Sequence, residues 1–270
     1  MHREKEQRLS KHLVIGDPHS HPDFDNDRFL ALGRFILEER PDVIICIGDM
    51  ADMPSLSSYD KGTRGFEGRR YNRDIEAVKD ANEKLWQEVN SYNKTQRSHG
   101  HKTYKPRKVI TLGNHESRIS RAANSNPELD GTISLSNLGY AESGWEVTPF
   151  KEAIVVDGIA YSHYFASGLT GQAISGENIG SSLVKKLHMS AVQGHSHLFS
   201  HYEHTRPNHE KIFGMSVGCF THHDYNEDWC KNTQYMWWRG IVVFEGCGRW
   251  SGYYEQYRAI CQQYLLDKYL

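Results

Sequence analysis

The sequence predicts an α/β fold built on strands that are buried on both faces. Two observations carry this. Short apolar runs with no polar alternation recur along the chain, and each ends in a small polar cluster. Helical patterns with apolar residues at three- and four-residue spacing lie between them.

The runs are Leu13–Ile15, Val43–Ile47, Val109–Leu112, Ala153–Val156, Ile159–Tyr161 and Ala191–Gln193. Asp157-Gly158 between the fourth and fifth is a hairpin signal. A helix is expected over 27–39, with Phe29, Leu32, Phe35 and Ile36 inward, Asp25 or Asn26 as N-cap, and Pro41 closing it. A second is expected over 74–92 through Ile75, Val78, Asn82, Leu85 and Val89, and a third over 177–188 through Ile179, Leu183 and Leu187. Beyond residue 210 the chain reads as strand at 211–217, 240–244 and 250–257, with a last helix near 259–269. Residues 53–107 separate two strands by more than a usual crossover and are read as an insertion, part loop and part helix.

At 270 residues, with 38% hydrophobic and 24% charged residues, the chain is globular and long enough for its own core. A net charge of −2 argues against a wholly basic nucleic-acid binder. No apolar run approaches a bilayer span, and the charged start lacks the apolar core of a signal peptide. Five cysteines without a C-x-x-C pattern argue against a disulfide framework and a cysteine zinc site. These points indicate a cytoplasmic protein with no membrane partner. Two stretches are locally basic: 94–108 holds six Lys/Arg and no acid, and 61–73 holds five and one acid. They are either solvated loops or a rim that binds phosphate.

Sixteen histidines are unusual, and their placement is informative. Asp17-Pro18-His19, Asp49 with Asp52, Asn114-His115-Glu116, His163 and His195-Ser196-His197 each follow an expected strand. Strand ends converge on one crevice in open α/β sheets. Carboxylate, imidazole and amide oxygen together suit divalent ions such as Mn2+, Fe2+ and Zn2+, and there are enough ligands for two ions sharing one carboxylate. Taken singly, each cluster is an ordinary strand-end turn. A histidine like His163 taken alone is a core residue.

The ordered set G-D-x-H, G-D-x-x-D, G-N-H-E, His, G-H-x-H spans residues 16–197 and resembles the calcineurin-like metallophosphoesterase superfamily. The resemblance implies a four-layer αββα sandwich, two mixed β-sheets flanked by helices, formed by residues 1–270 as one domain with the insertion at about 53–107. It implies that Asp17, His19 and His197 bind a first metal, that Asp49 bridges, and that Asn114, His163 and His195 bind a second. His115 would act as general acid beside the phosphate, oriented by Asp52. Two divalent ions are then the cofactors, Mn2+ foremost, with Fe, Zn, Ni or Mg compatible. A hydroxide between the metals would attack phosphorus in line with the leaving oxygen.

One departure is that Met53 stands where the protein Ser/Thr phosphatase branch carries Arg. The stretches 55–60 and 67–71 are similar to insertions in phage-borne members, which would place the protein in a host cytoplasm. The partner expected is a phosphate ester, with nucleotide or nucleic acid favoured by the basic stretches and Arg69, Arg70 and Asn114 as substrate contacts. A phosphomonoesterase is the alternative, and a non-catalytic metal-binding scaffold or a structural metal protein the remote ones. Oligomeric state is not legible.

Other residues carry ordinary readings. His21 is taken as a loop histidine, and Glu116 as support for its turn. His201, His204 and His209 are taken as a polar loop. His222 and His223 would form a far wall at most. Trp237 and Trp238 are core or, less simply, a base-stacking platform. No P-loop is present.

Overall fold

The computed structural model describes residues 9–227, 230, 233–248 and 252–270. The first β-α-β unit runs β1 (Ser10–Ile15), α1 (Asp27–Glu39) and β2 (Val43–Cys46). The next runs α2 (Tyr71–Ser98) and β3 (Arg107–Thr111). Then come α3 (Ser117–Ser125), β4 (Glu146–Thr148), β5 (Ile154–Val156) and β6 (Ile159–Tyr161). The short pair β7 (Ala166–Ser167) and β8 (Gln172–Ala173) precedes α4 (Ile179–Leu187) and β9 (Ala191–Gln193). Last come β10 (Phe199–Thr205), β11 (Lys211–Val217), β12 (Gly240–Cys247), β13 (Gln256–Cys261) and α5 (Gln262–Tyr269).

Two mixed sheets result. The first has the order β13-β12-β1-β2-β3-β4 and the second β10-β11-β9-β6-β5. The strands β1 to β4 are mutually parallel, while β12 pairs antiparallel with β1, and β13 with β12. In the second sheet β9 is parallel to both β6 and β11.

The residue alternation explains the layers. Leu13, Ile15, Ile44, Cys46 and Ile110 face α1, α2 and α5. Their neighbours Val14, Val43, Ile45, Ile47 and Val109 face Ile159, Tyr161, Val192, Phe213 and Met215 of the second sheet. Ala160 and Ala191 meet Ile179 and Leu183 of α4 on its outer side. Each central strand therefore needs apolar side chains at most positions, with His12 and Thr111 as buried exceptions, and the order is helix, sheet, sheet, helix.

Helix α1 has the bounds its pattern predicts and stops at Arg40, which is left-handed at φ 49° and followed by Pro41. Asn26 occupies the N-cap without a capping side-chain bond; Asp25 instead accepts from the amide of Asp27. The 53–107 segment contributes α2, which crosses from β2 to β3 and buries Ile75, Val78, Leu85 and Val89 in the same core as α1. At 28 residues it is longer than its apolar pattern.

Three expectations are corrected. The strand expected at 250–257 begins at Gln256, and residues 249–251 lie outside the described set. The last helix starts at Gln262, because 256–261 pairs with β12 as an edge strand of mixed exposure. The polar loop expected around His201 and His204 is the edge strand β10, with Glu203 and His204 exposed. Among the described residues no helix is long and apolar enough to cross a membrane.

Candidate metal centre

The parallel strands deliver their following loops to one end of the sandwich. Backbone bonds from His19 N to Asp49 O and from Ser20 N to Met50 O, both 2.8 Å, zip the loops after β1 and β2 together. The buried Arg28 guanidinium donates to the carbonyls of Pro18, His19, Asp25 and Phe220. Burial lowers its pKa to about 10, still charged at neutral pH. Glu116 accepts the amides of Asp49, Ala51 and Gly113 and the Tyr140 hydroxyl at 2.8–3.1 Å, so it supports its turn structurally.

Strain is concentrated in these loops. Asp17, His19, Asp49, His195 and His197 all have φ between 39° and 66°. This left-handed region is costly for side-chain-bearing residues, about 1–3 kcal/mol each. Two glycines are needed for close approach. A Cβ at Gly113 would sit 2.0 Å from Asp49 Oδ1, and one at Gly194 2.0 Å from Asp17 Oδ2.

The structure brings all seven expected ligand positions together. Asp17, His19 and His197 form one group and Asp49, His163 and His195 another, with the ligand atoms of each group within 4.8 Å of one another. Asn114 Oδ1 lies 2.8 Å from His163 Nε2, and Asp49 Oδ2 lies 3.3 Å from the same nitrogen. His163 Nδ1 donates to the carbonyl of Ile47 at 2.9 Å, which leaves Nε2 as a lone pair. His19 Nδ1 donates to Asp52 Oδ1 at 2.8 Å, and its Nε2 is buried with no hydrogen-bond partner. The Nδ1 of His197 is likewise buried and unpartnered. His19 Nε2 lies 3.9 Å from Asp49 Oδ2, and an unsatisfied buried nitrogen facing a carboxylate fits a site for divalent cations.

Electrostatics agree. Burial, then the charges of Glu116 and Asp17, push the Asp49 carboxyl well up; burial does the same to Asp17 against the His195 amide that donates to it. Burial also holds His19, His163 and His197 below the usual imidazole range and His195 down to about 4. The imidazoles are thus neutral at pH 7, as ligands must be. Two carboxylates crowded in a dry centre call for positive charge that the histidines do not supply.

His115 Nδ1 hydrogen-bonds the Asp52 backbone carbonyl at 2.8 Å and lies 2.9 Å from Asp52 Oδ1. Its Nε2 points inward, 3.9 Å from Asp49 Oδ2. Burial alone would raise the Asp52 carboxyl, but hydrogen bonds from His115 and His19 overcome this and hold it well below its ordinary range.

The sequence did not single out Tyr225, Glu227, Arg118 or Arg121. The Tyr225 hydroxyl lies 2.8 Å from both Asp52 Oδ1 and Glu227 Oε1, and Glu227 lies 3.9 Å from His115 Nε2. No motif marks these two, since they arrive from the loop after β11. Arg118 and Arg121 lie two and five residues beyond the G-N-H-E motif, which was the available signal.

The other candidates are placed as follows. Arg69 donates to Asp60 Oδ2 at 2.5 Å and to the Pro54 carbonyl, while Arg70 is exposed and turned onto the Arg69 carbonyl. The basic stretch 94–108 is removed from any rim, because α2 runs from the site end back to the strands' starts. There Tyr104 bonds the Pro41 carbonyl and Arg107 pairs with Glu146. His21 is half-buried, 3.7 Å from Asp52 Oδ2, rather than free in a loop. His222 stacks on Phe24 and pairs with Asp25. Trp238 packs on Phe199, and Trp237 lies edge-on to His197 with ring centroids 4.3 Å apart.

A sequence profile described as calcineurin-like phosphoesterase matches residues 10–267. Among solved structures, Yfce, a phosphoesterase from E. coli, is 11% identical, with 93% of this chain and 99% of that one covered at a TM-score of 0.34. GAP50, the anchor in the inner membrane complex of Plasmodium, is also 11% identical, covering 98% and 96% at 0.27. No curated protein matches the chain.

Proposed function

Because the chain belongs to the calcineurin-like phosphoesterase family, a family of metal-dependent hydrolases of phosphate esters, we propose that it hydrolyses phosphodiesters of nucleotides or nucleic acid with two divalent ions, Mn2+ foremost. Residues 1–270 form one such domain in this reading. One observation supports it above all: two adjoining groups, Asp17/His19/His197 and Asp49/His163/His195, with neutral imidazoles and buried lone pairs turned inward.

Asp17, His19 and His197 would hold one ion, and Asn114, His163 and His195 the other, with Asp49 shared. When bound, the ions supply a water ionised near neutral pH and neutralise the phosphoryl oxygens. The chain's residues do the rest. The water oxygen bonds to phosphorus as the bond to the leaving oxygen breaks. In this step His115 carries a proton on both nitrogens, gives the one on Nε2 to that oxygen and is left neutral, while Asp52 holds Nδ1–H and fixes the ring. The buried loops exclude bulk water and keep the ligands in place without reorganisation.

The test is Mn2+-dependent turnover of bis-p-nitrophenyl phosphate and p-nitrophenyl phosphate, with metal content measured on the same samples. Diester turnover should fall by at least about a hundredfold in Asp49→Ala, with metal lost. Turnover of the monoester alone would replace the diesterase with a phosphatase. Two metals bound with neither ester hydrolysed would replace the enzyme with a scaffold.

A further inference from the structure

Beside the candidate centre lies an open cavity of about 280 Å3. Asn114 and His195, Arg118 and Arg121 of α3, and Tyr59 and Tyr164 line it. The two arginines are three residues apart on a helix and so project from one face. Arg118 Nη1 donates to the Asp52 carbonyl at 2.9 Å, and its Nη2 lies 3.2 Å from His115 Nε2. Arg121 Nη2 donates to the Asn114 carbonyl at 3.3 Å. Among the described residues neither guanidinium has a carboxylate within ion-pair distance. By contrast Arg69, Arg73, Arg107 and Arg258 are each paired with an acid.

Two guanidinia without a directly paired carboxylate therefore line an open cavity that begins at the candidate ligands, and Arg118 also feels the charges of Asp49, Asp60 and Glu227. Each carries five donors, and carbonyl contacts occupy few of them. The forked geometry matches the oxygens of a phosphate. Tyr164 packs on His195 with ring centroids 4.9 Å apart, and Tyr59 is exposed, so aromatic faces flank the charged wall.

We propose that Arg118 and Arg121 make this cavity a second anion subsite, so that the preferred substrate carries another phosphate next to the one being hydrolysed. An oligonucleotide and a nucleoside polyphosphate both present that chemistry. A simple aryl ester does not. The inference rests on the phosphoesterase reading and names the substrate class of the same site.

The experiment compares kcat/KM on bis-p-nitrophenyl phosphate, on the dinucleotide pTpT with its 5′-phosphate, and on ADP, using Mn2+-loaded protein. In Arg121→Ala the ratio of a two-phosphate substrate to the aryl diester should fall about tenfold to a hundredfold, through KM. Arg97→Ala removes the same charge from the far end of α2 and should leave the ratio unchanged. A fall on pTpT names an oligonucleotide, and one on ADP a nucleoside polyphosphate. An unchanged ratio on both substrates overturns the subsite. Turnover of the aryl diester by the unaltered protein judges the phosphoesterase reading separately. If no ester is turned over, calorimetry with inorganic pyrophosphate decides. Weaker binding by Arg121→Ala supports the subsite, and equal binding by both proteins overturns it.

Discussion

The two ends of the parallel strands are both rich in polar and charged residues, yet they differ in kind. At the carboxyl ends, Asp17, His19, Asp49, His163 and His197 are buried, and four of the five are held in left-handed backbone. At the amino ends, Lys102 and Lys105 are exposed, and Arg107 with Glu146 is a solvent-facing pair. Surface pairs contribute little. Buried polar groups in strained turns persist only when something else, such as ligand binding, has kept them. A high density of charged residues in a sequence therefore marks two different things, and burial separates them.

The largest expected effect strikes the carboxyl end. Gly113→Ala places a methyl group on Asp49 Oδ1 and forces the carboxylate or the turn to move. Hydrolysis of the aryl diester should drop by about a hundredfold or more, with weaker metal binding by titration. Full activity would mean the ligand loops are not fixed as tightly as their packing implies.

A smaller effect belongs to the amino end. Asp157, in the β5–β6 turn, accepts from His12 Nε2 at 2.9 Å and also bonds Ser10. The His12 hydrogen bond is the main cause that lowers its carboxyl to about 2. A depressed acid contributes stability that is present above the ordinary carboxyl pKa near 4 and lost as pH falls towards 2. Asp157→Asn should lower the melting temperature at pH 7 and flatten its decline between those values, leaving turnover at pH 7 unchanged. An identical acid limb in the variant would separate this pair from acid stability.

The smallest effect is expected from the basic stretch. Replacing Arg97, Lys102 and Lys105 together by alanine should leave kcat/KM on pTpT unaltered at moderate salt, since the topology puts them at the far end. A loss comparable to that in Arg121→Ala would join the two ends into one binding surface.

The central strands were legible because burial on both faces demands apolar residues at most positions, as in Val43–Ile47. The same demand is absent at edges. Strand β10 carries histidine, glutamate and tyrosine with no residue fully buried, so it read as a polar loop. Helix α3 buries only Ile119 and offered no periodicity to see. In the site, the motif residues were legible because each sits within a few positions of a strand end. Tyr225 and Glu227 were not, because their approach to Asp52 and His115 is made by tertiary packing across more than a hundred residues of chain. Arg69 stood out by charge alone, and its neighbour Asp60 answers that charge.

The left-handed backbone at His195 and His197 has an evolutionary consequence. At φ 66° and 59°, a glycine or asparagine would relax either turn, and His197 Nδ1 has no hydrogen bond to forfeit. Selection for heat resistance alone would favour such replacements, so these histidines stand only while some other demand opposes it. A lineage released from that demand would shed them early and keep the sandwich, losing its chemistry long before its shape.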